Sequence, residues 1–247
     1  MTGVVLLTAL AMACSGDGAP RDTTSTTKPA SAPENPADAA DTLPSALDGR
    51  ATILFLGTSL TAGLGLEPDS AYPQQIQRKI DASGLPYQVV NAGVSGETSA
   101  GLLRRLDWVL RRPADVIVVE TGANDGLRGL PVDATRATIG AVLTRIRRER
   151  PNAAILLAQM EAPPNLGQEY TSTFRAMFPD LAREHGVTLI PFLLEGVAGV
   201  ARLNQNDGIH PNDAGERVVT DNVWRVLQSI LRGRSSPGLN GTPAPSP

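Results

Sequence analysis

A repeated alternation between short apolar runs and longer segments of helical spacing constrains the fold of this chain more than any other feature. Continuous apolar runs, without intervening polar residues, are typical of strands in a parallel sheet that is buried on both faces. Five largely apolar runs approach this character, with single polar residues in some of them: 52–57, 87–91, 115–120, 154–158 and 187–190. Segments with apolar residues three or four positions apart follow them, at 72–80, 102–110, 139–150, 174–185 and 219–230. Since parallel strands are joined by right-handed helical crossovers, the pattern predicts an α/β fold, a three-layer α/β/α sandwich around a mostly five-stranded parallel sheet.

The two ends of the chain have a different composition. Residues 15–50 are rich in Ala, Pro, Thr, Ser and Asp and contain almost no large apolar side chains. Such a segment cannot bury enough surface to offset the entropy of ordering it, so we expect a disordered tether there. Residues 233–247 are rich in Gly, Ser and Pro and are expected to form a disordered tail. The globular domain is therefore predicted to span 51–232.

The first fourteen residues have the features of an export segment. The apolar run 4–13 is too short to cross a bilayer as a stable helix, but it resembles the apolar region of a secretory signal peptide. Its end, Ala11-Met12-Ala13-Cys14, resembles a bacterial lipoprotein processing site. We expect residues 1–14 to direct export to the bacterial cell envelope or periplasm, with membrane anchoring through a lipidated Cys14. The alternative is an ordinary signal peptide in which Cys14 has no role.

Charge gives little indication of a macromolecular partner. The chain has 25 acidic and 22 basic residues, a formal net charge of −3. A strong basic field would indicate nucleic acid, and none is expected here. The arginines at 104–105, 111–112 and 145–150 have no aromatic residues among them, so we interpret them as solvated helix ends.

Ser59 lies directly after the first predicted strand, in the run Gly57-Thr58-Ser59-Leu60. Open parallel sheets bind ligands beyond the carboxyl ends of their strands, so a serine at this turn is a candidate nucleophile. Two other interpretations compete: Ser59 could cap a helix, or the glycines could cradle a phosphate. The phosphate interpretation is weak because no Lys-Ser/Thr follows and the chain has no G-x-G-x-x-G motif. We predict no cofactor.

Two further loops follow the second and third predicted strands. The segment 91–98 contains Gly93 and Gly96, and glycine lets an unshielded backbone N–H approach a ligand. The segment 120–126 contains Asn124, whose amide could donate to a developing oxyanion. Taken alone, the first could be a plain Gly/Ser loop and Asn124 could belong to an Asx turn.

The two histidines of the chain differ in their surroundings. His185 closes a helical segment before Gly186, where it is expected to face solvent and favour the helix dipole. His210 follows Asp207 by three residues on a loop with Gly208, which lets the carboxylate fold back onto the imidazole and fix its tautomer. A metal half-site is the alternative, but neither a second suitable histidine nor a cysteine remains to complete it, so no metal is expected.

Taken together, these four segments resemble the conserved blocks of the SGNH-hydrolase family, also called GDSL-like. The resemblance covers about residues 52–231. The matching blocks, in order, are Gly-Thr-Ser-Leu (57–60), Asn-Ala-Gly-Val-Ser-Gly-Glu-Thr (91–98), Gly-Ala-Asn-Asp (122–125) and Asp-Gly-Ile-His-Pro-Asn (207–212). The flanks 126–130 and 190–195 further resemble the subgroup of periplasmic thioesterases, lysophospholipases and arylesterases. One departure is Thr58, where the first block usually has aspartate; we expect the chemistry to survive this change and the local turn to differ.

The resemblance implies a flavodoxin-like fold and a role for each matching residue. Ser59 would be the nucleophile, His210 the base and Asp207 its orienting partner. The oxyanion hole would consist of the Ser59 N–H, the Gly96 N–H and the Asn124 side chain, with Gly96 fitting the pattern better than Gly93.

The implied activity is hydrolysis of carboxylic esters or thioesters through an acyl-enzyme. The expected partner is a small acyl ester or thioester, with lysophospholipid among the candidates. A carbohydrate O-deacetylase on the same fold is an alternative within the esterases. A non-catalytic ligand-binding domain is a further alternative, although a binder has no need of the Asp207–His210 pair.

Overall fold

The computed structural model describes residues 49–235 of the protein. The predictions for the export segment 1–14 and for Cys14 fall outside these residues. So does nearly all of the predicted tether 15–50 and most of the predicted tail 233–247.

The core of the described region is a five-stranded, fully parallel sheet. Its strands, in chain order, are β1 (Ala51–Gly57), β2 (Tyr87–Gly93), β3 (Val116–Val119), β4 (Ala154–Ala158) and β5 (Thr188–Ile190). They lie side by side in the order β2-β1-β3-β4-β5. The central strands are apolar on both faces and buried, which explains their continuous apolar runs. The predicted five-stranded parallel sheet is confirmed.

Helices cover both faces of the sheet. They are α1 (Ser59–Ala62), α2 (Tyr72–Ala82), α3 (Ser99–Val109), α4 (Ala123–Leu127), α5 (Val132–Glu149), α6 (Gln168–His185) and α7 (Asp213–Ser235). The pair α2 and α7 pack together, while α3 packs on α5 and α5 on α6. The connections β2–β3, β3–β4 and β4–β5 all cross the sheet in the same direction. Because each crossover is right-handed, their helices α3, α5 and α6 lie on one face of the sheet, and α2 and α7 lie on the other. This is the predicted three-layer sandwich.

The strand order brings three loops to one edge of the sheet. Gly57 at the end of β1 is in register with Gly93 of β2, and Leu56 is in register with Val119 of β3. From β1 the chain first adds β2 on one side and then crosses back to add β3 on the other side of β1. The topological switch point therefore lies between β1 and β3. A long segment then returns from the edge strand β5 to α7, which packs beside α2.

Several details differ from the sequence prediction. Helix α7 continues to Ser235, so residues 233–235, predicted as the start of the tail, are helical; Arg234 donates to the Asn152 carbonyl at 3.1 Å. The short helices α1 and α4 were not predicted, because four or five residues are too few to show helical periodicity. The ring of His185 is half-buried and lies against Gly140 of α5, rather than facing solvent.

Two arginines also differ from the prediction of solvated helix ends. The Arg105 side chain is only 18% exposed and pairs with Glu97. Arg150 donates to the carbonyl oxygens of Leu110 and Arg112, and so ties the end of α5 to the loop after α3.

Within residues 49–235, no helix combines the length and the apolar character that crossing a membrane requires.

Candidate active site

Ser59 is the first residue of α1 and lies immediately beyond the carboxyl end of β1. As the first residue of a helix, it has no intrahelical acceptor for its N–H. The side chain of Ser59 does not cap the helix, since Thr58 occupies the N-cap position. The structure therefore leaves the Ser59 hydroxyl and N–H available at the sheet edge.

Ser59, His210 and Asp207 form a continuous hydrogen-bonded row. The Ser59 Oγ lies 2.8 Å from the His210 Nε2, and the His210 Nδ1 lies 2.6 Å from the Asp207 Oδ2. If Asp207 is ionised, Nδ1 carries the proton and donates to it, which leaves Nε2 as an acceptor for the Ser59 hydroxyl. This is the arrangement in which a histidine can remove the proton of a serine nucleophile.

Backbone geometry keeps Asp207 ionised. Its Oδ1 accepts hydrogen bonds from the N–H groups of His210 at 3.0 Å and Ile209 at 2.9 Å. Together with the His210 ring, these donors lower the pKa of Asp207 to about 2. A permanently charged partner stabilises the imidazolium that forms when His210 accepts a proton.

The loop that carries this pair is fixed at both of its ends. An antiparallel bridge joins Asn204 to Pro211, and the Gln205 N–H donates to the His210 carbonyl at 2.7 Å. Asn212 then accepts from the N–H groups of Ala214 and Gly215, capping the start of α7. The short spacing of Asp207 and His210 is therefore held as a closed loop.

Asn124 lies on α4, directly beyond β3. One of its amide hydrogens donates to the Glu97 carbonyl at 2.9 Å, which fixes the orientation of the side chain. The amide has a second hydrogen that this bond does not use. Asn124 lines the same cavity as Ser59 and His210, so the second hydrogen is available to a ligand atom bound there.

Gly96 lies at the third position of a turn closed by a hydrogen bond from the Glu97 N–H to the Val94 carbonyl at 3.2 Å. Its φ of 76° is in the left-handed region, which glycine adopts at little cost. Among residues 49–235 the Gly96 N–H has no hydrogen-bond acceptor, whereas the Gly93 N–H donates to the Asn91 Oδ1 at 2.9 Å. Of the two glycines, Gly96 is the one with a free donor.

Two arginines hold the Gly96 turn in place. Arg105 of α3 forms a two-pronged ion pair with Glu97, with both N–O distances at 2.7 Å, and donates to the Ala92 carbonyl at 2.8 Å. Arg128, after α4, donates to the Gly96 carbonyl at 3.0 Å. Paired planar contacts of this kind restrict orientation more strongly than a single hydrogen bond. Sequence reasoning missed the Arg105–Glu97 pair because the spacing of eight residues is not a helical one.

Ser59, Asn124 and His210 line one cleft, a cavity of about 290 Å³. Most of its remaining wall is apolar: Leu60, Ala123, Leu127, Met160, Ala162, Pro163, Pro164, Phe192, Leu194, Ala198 and Ile209. Pockets that combine an apolar wall with a few converging polar groups are typical ligand sites. The wall is suited to an apolar chain next to the Ser59 hydroxyl.

Sequence reasoning also missed a buried carboxylate beside the Ser59 turn. Glu120 was predicted as the last residue of the third strand and the first of the segment 120–126, with no role of its own; it accepts hydrogen bonds from Thr58 and Thr61. Burial raises the pKa of Glu120, and the donors on Thr58 and Thr61 oppose that rise. No local pattern could reveal these contacts, because about sixty residues separate the partners.

Comparison with known proteins gives consistent matches. Residues 55–218 match the family model described as the GDSL-like lipase/acylhydrolase family. The chain is 38% identical over 182 residues to Esterase TesA of Pseudomonas aeruginosa, covering 73% of this chain and 89% of that protein. It is 36% identical over 181 residues to Thioesterase 1/protease 1/lysophospholipase L1 of Escherichia coli K12, covering 73% and 85%. The solved structure of the psychrotrophic esterase EstA from Pseudoalteromonas sp. superposes with a TM-score of 0.69 at 34% identity, covering 73% of this chain and 98% of that one.

Proposed function

Because the chain belongs to the GDSL-like lipase/acylhydrolase family and is an ester hydrolase, we propose that it cleaves carboxylic esters or thioesters through an acyl-enzyme formed on Ser59. The observation that carries this proposal is the row of hydrogen bonds from Ser59 Oγ to His210 Nε2 at 2.8 Å and from His210 Nδ1 to Asp207 at 2.6 Å. Labelling of Ser59 by a fluorophosphonate, measured beside ester turnover, tests it and separates an enzyme from a non-catalytic binder.

In the first half of the reaction, the Ser59 Oγ attacks the acyl carbon while His210 Nε2 takes its proton. Asp207 stabilises the resulting imidazolium. The bond from the acyl carbon to the leaving oxygen or sulfur then breaks, and His210 returns the proton to the leaving atom. In the second half, water gives a proton to His210 and its oxygen attacks the acyl carbon. The bond from the acyl carbon to Ser59 Oγ then breaks, His210 returns the proton to Oγ, and the carboxylic acid leaves.

Three donors would stabilise the negative charge that develops on the carbonyl oxygen: the Ser59 N–H, the Gly96 N–H and the Asn124 side chain. Each is supported by an unused hydrogen at the sheet edge. Preorganised donors of this kind stabilise the transition state without reorganising during the reaction. The contact from Asn124 to the Glu97 carbonyl, at 2.9 Å, joins two of these donors in one network.

The apolar cleft supports an acyl chain of short to medium length as the preferred acyl group. A cavity of about 290 Å³ is close to the lower end of the roughly 300–1,000 Å³ of small-molecule sites. Long fatty acyl chains would extend past Leu127 and Ile209, which are both about half exposed at the cavity wall. Aryl esters and short acyl thioesters should therefore be cleaved faster than lysophospholipids with long acyl chains, and these three classes are the substrates to compare.

The same wall argues against a carbohydrate O-deacetylase. Sugar hydroxyls need polar partners, and around Ser59 the described polar groups of the cavity are few: Thr58, Asn124, Glu161 and His210. A panel that includes acetylated sugars beside acyl esters separates the two activities.

We further propose that the protein is exported and anchored by a lipid on Cys14. The support is the apolar run 4–13 with Ala11-Met12-Ala13-Cys14 at its end, and the Pro-rich segment that follows. The C14S variant, expressed in the native host, should move from the membrane fraction to the soluble fraction. Equal membrane association of the two forms would exclude lipid anchoring.

A further inference from the structure

A buried carboxylate that the Ser59–His210–Asp207 row does not use lies directly behind the candidate nucleophile. Glu120 follows β3, and its N–H donates to the Leu56 carbonyl of β1 at 2.8 Å. Its exposed fraction is 0%. A charge-bearing side chain is almost never buried to this extent unless it is fully hydrogen-bonded, so its contacts carry information about its role.

All the described hydrogen bonds to this carboxylate come from the turn that carries Ser59. The Thr58 N–H donates at 2.7 Å, and the Thr58 hydroxyl lies 3.0 Å from each carboxylate oxygen. The Thr61 hydroxyl donates at 3.0 Å and is itself 2.8 Å from the Tyr72 hydroxyl. Glu120 therefore contacts the residue before Ser59 and the residue two positions after it.

The space around this contact leaves no room for adjustment. A Cβ added at Gly57 would lie 1.9 Å from the Thr61 Oγ1 and 2.7 Å from a Glu120 carboxylate oxygen. Both distances are too short for any side chain, so glycine is required where the turn passes over the carboxylate. The turn is consequently held between the end of β1 and Glu120.

From these contacts we infer that Glu120 is a positioning residue, which acts through Thr58 and Thr61 to fix the turn that presents the Ser59 hydroxyl and N–H. This inference rests on the proposed role of Ser59. Three donors converge on this one buried carboxyl group, and each would lose its partner if the turn moved, so the contacts restrain the turn. A displacement of about 1 Å at a reacting group can cost on the order of 100-fold in rate.

Thr58 gives this arrangement a specific chemical character. An aspartate at this position, usual in the family block that the sequence resembles, would place a second carboxylate beside Glu120. Two adjacent carboxylates must share a proton. Threonine instead supplies a neutral hydroxyl donor, so no second carboxylate lies beside Glu120.

The E120Q substitution tests the inference because glutamine has the same shape but exchanges one acceptor oxygen for an NH₂ donor. The new NH₂ carries two hydrogens, so the Thr58 or Thr61 hydroxyl beside it must change from donor to acceptor, and a single oxygen is left to accept the remaining donors. We expect kcat for a p-nitrophenyl ester to fall by roughly 10- to 100-fold, while KM changes by less than about threefold.

The matched control is E216Q, the same substitution in a second buried glutamate. Glu216 is 1% exposed and accepts a hydrogen bond from the Tyr72 N–H at 2.7 Å. Its described donor thus lies on α2 and not on the turn that carries Ser59. We expect kcat of E216Q to stay within about threefold of the wild type.

Rescue distinguishes positioning from a general loss of structure. In the double variant T58D/E120Q, the new carboxylate can accept from the new amide, so donors and acceptors match again. We expect its kcat to recover at least about tenfold over E120Q alone. If E120Q does not fold, T58V, which removes only the hydroxyl donor, should lower kcat by about three- to tenfold at unchanged KM.

The outcomes separate this inference from the proposed function. If S59A abolishes turnover but E120Q keeps kcat within threefold of the wild type, Glu120 has no positioning role and Ser59 remains the nucleophile. The same conclusion follows if E120Q does not fold and T58V has the wild-type kcat. A kcat loss in E120Q that T58D fails to rescue also overturns the inference. If S59A itself retains turnover, it is the proposed function that fails.

Discussion

The His210 Nε2 lies 2.8 Å from the Ser59 Oγ, although 151 positions separate the two residues in the sequence. The parallel sheet produces this contact. Ser59 lies beyond the carboxyl end of β1, and the segment after β5 returns across the same edge to begin α7. The contact therefore depends on the whole strand order.

Removal of the Asn124 amide should lower turnover without weakening substrate binding to the same extent. For N124A we expect kcat to fall by roughly 10²–10³-fold, the cost typical of losing one oxyanion donor. Steady-state kinetics with a p-nitrophenyl ester measures this, and N165A, at an exposed asparagine beyond the cleft, serves as the control. A loss below threefold in N124A would remove Asn124 from the oxyanion hole.

The D207N substitution should cost roughly 10³-fold in kcat, because an amide can stabilise neither the required tautomer of His210 nor its imidazolium. The pKa of Asp207, lowered to about 2, keeps the carboxylate charged throughout any neutral or alkaline assay. A lowered pKa in the folded state stabilises the fold above about pH 4, and that contribution is lost as the pH falls toward 2. Wild-type activity between pH 5 and 9 should thus show no titration of Asp207.

Two outcomes would contradict this role of Asp207. One is D207N turnover within tenfold of the wild type. The other is an activity loss in D207N that arises because the variant is partly unfolded at the assay temperature. Circular dichroism melting of both proteins in the assay buffer gives the second comparison.

Glu216 should make the fold less stable at alkaline pH. Burial raises its pKa to about 8, so the folded state holds a proton that the unfolded state releases near pH 4.5. Stability therefore falls as the pH rises from about 4.5 to 8 and is level above that. The difference in free energy of unfolding between E216Q and the wild type should therefore increase, in favour of E216Q, by on the order of 4 kcal/mol from pH 5 to pH 8.5. Urea unfolding at the two pH values measures the gain, and an equal difference at both would refute the burial argument.

Narrowing the cleft should change the acyl-chain preference. Ala162 lines the cavity and is half-buried, so A162F fills space that a medium-length acyl chain would occupy. We expect kcat/KM for an octanoyl ester to fall about tenfold or more, while the acetyl ester changes by less than threefold. The control is A137F, on the exposed face of α5. Equal losses for both esters would show that the acyl chain does not lie in this cavity.

The sequence allowed the strands and the residues at their ends to be predicted because both leave local signals. Continuous apolar runs mark buried parallel strands, and the loop from Asp207 to His210 forms its contacts within three residues. Glu120 left no such signal. It ends an apolar run like an ordinary terminal charge, and its partners Thr58 and Thr61 lie in a distant segment that only the pairing of β1 with β3 brings close.

Arg105 was misinterpreted for a related reason. A basic residue within an amphipathic helical segment is usually solvated, and only the fold shows that α3 turns this one toward Glu97 in the preceding loop. Contacts that support a site from outside its motifs are set by tertiary packing, and a single sequence does not encode them locally.

The rate of p-nitrophenyl butyrate hydrolysis by S59A, relative to the wild type, tests the central claim most directly. Loss of a serine nucleophile removes the acyl-enzyme route altogether, so the rate should fall by at least about 10³-fold while the thermal unfolding midpoint is unchanged. Hydrolysis by a folded S59A protein at a rate close to that of the wild type would contradict the assignment of Ser59 as the nucleophile.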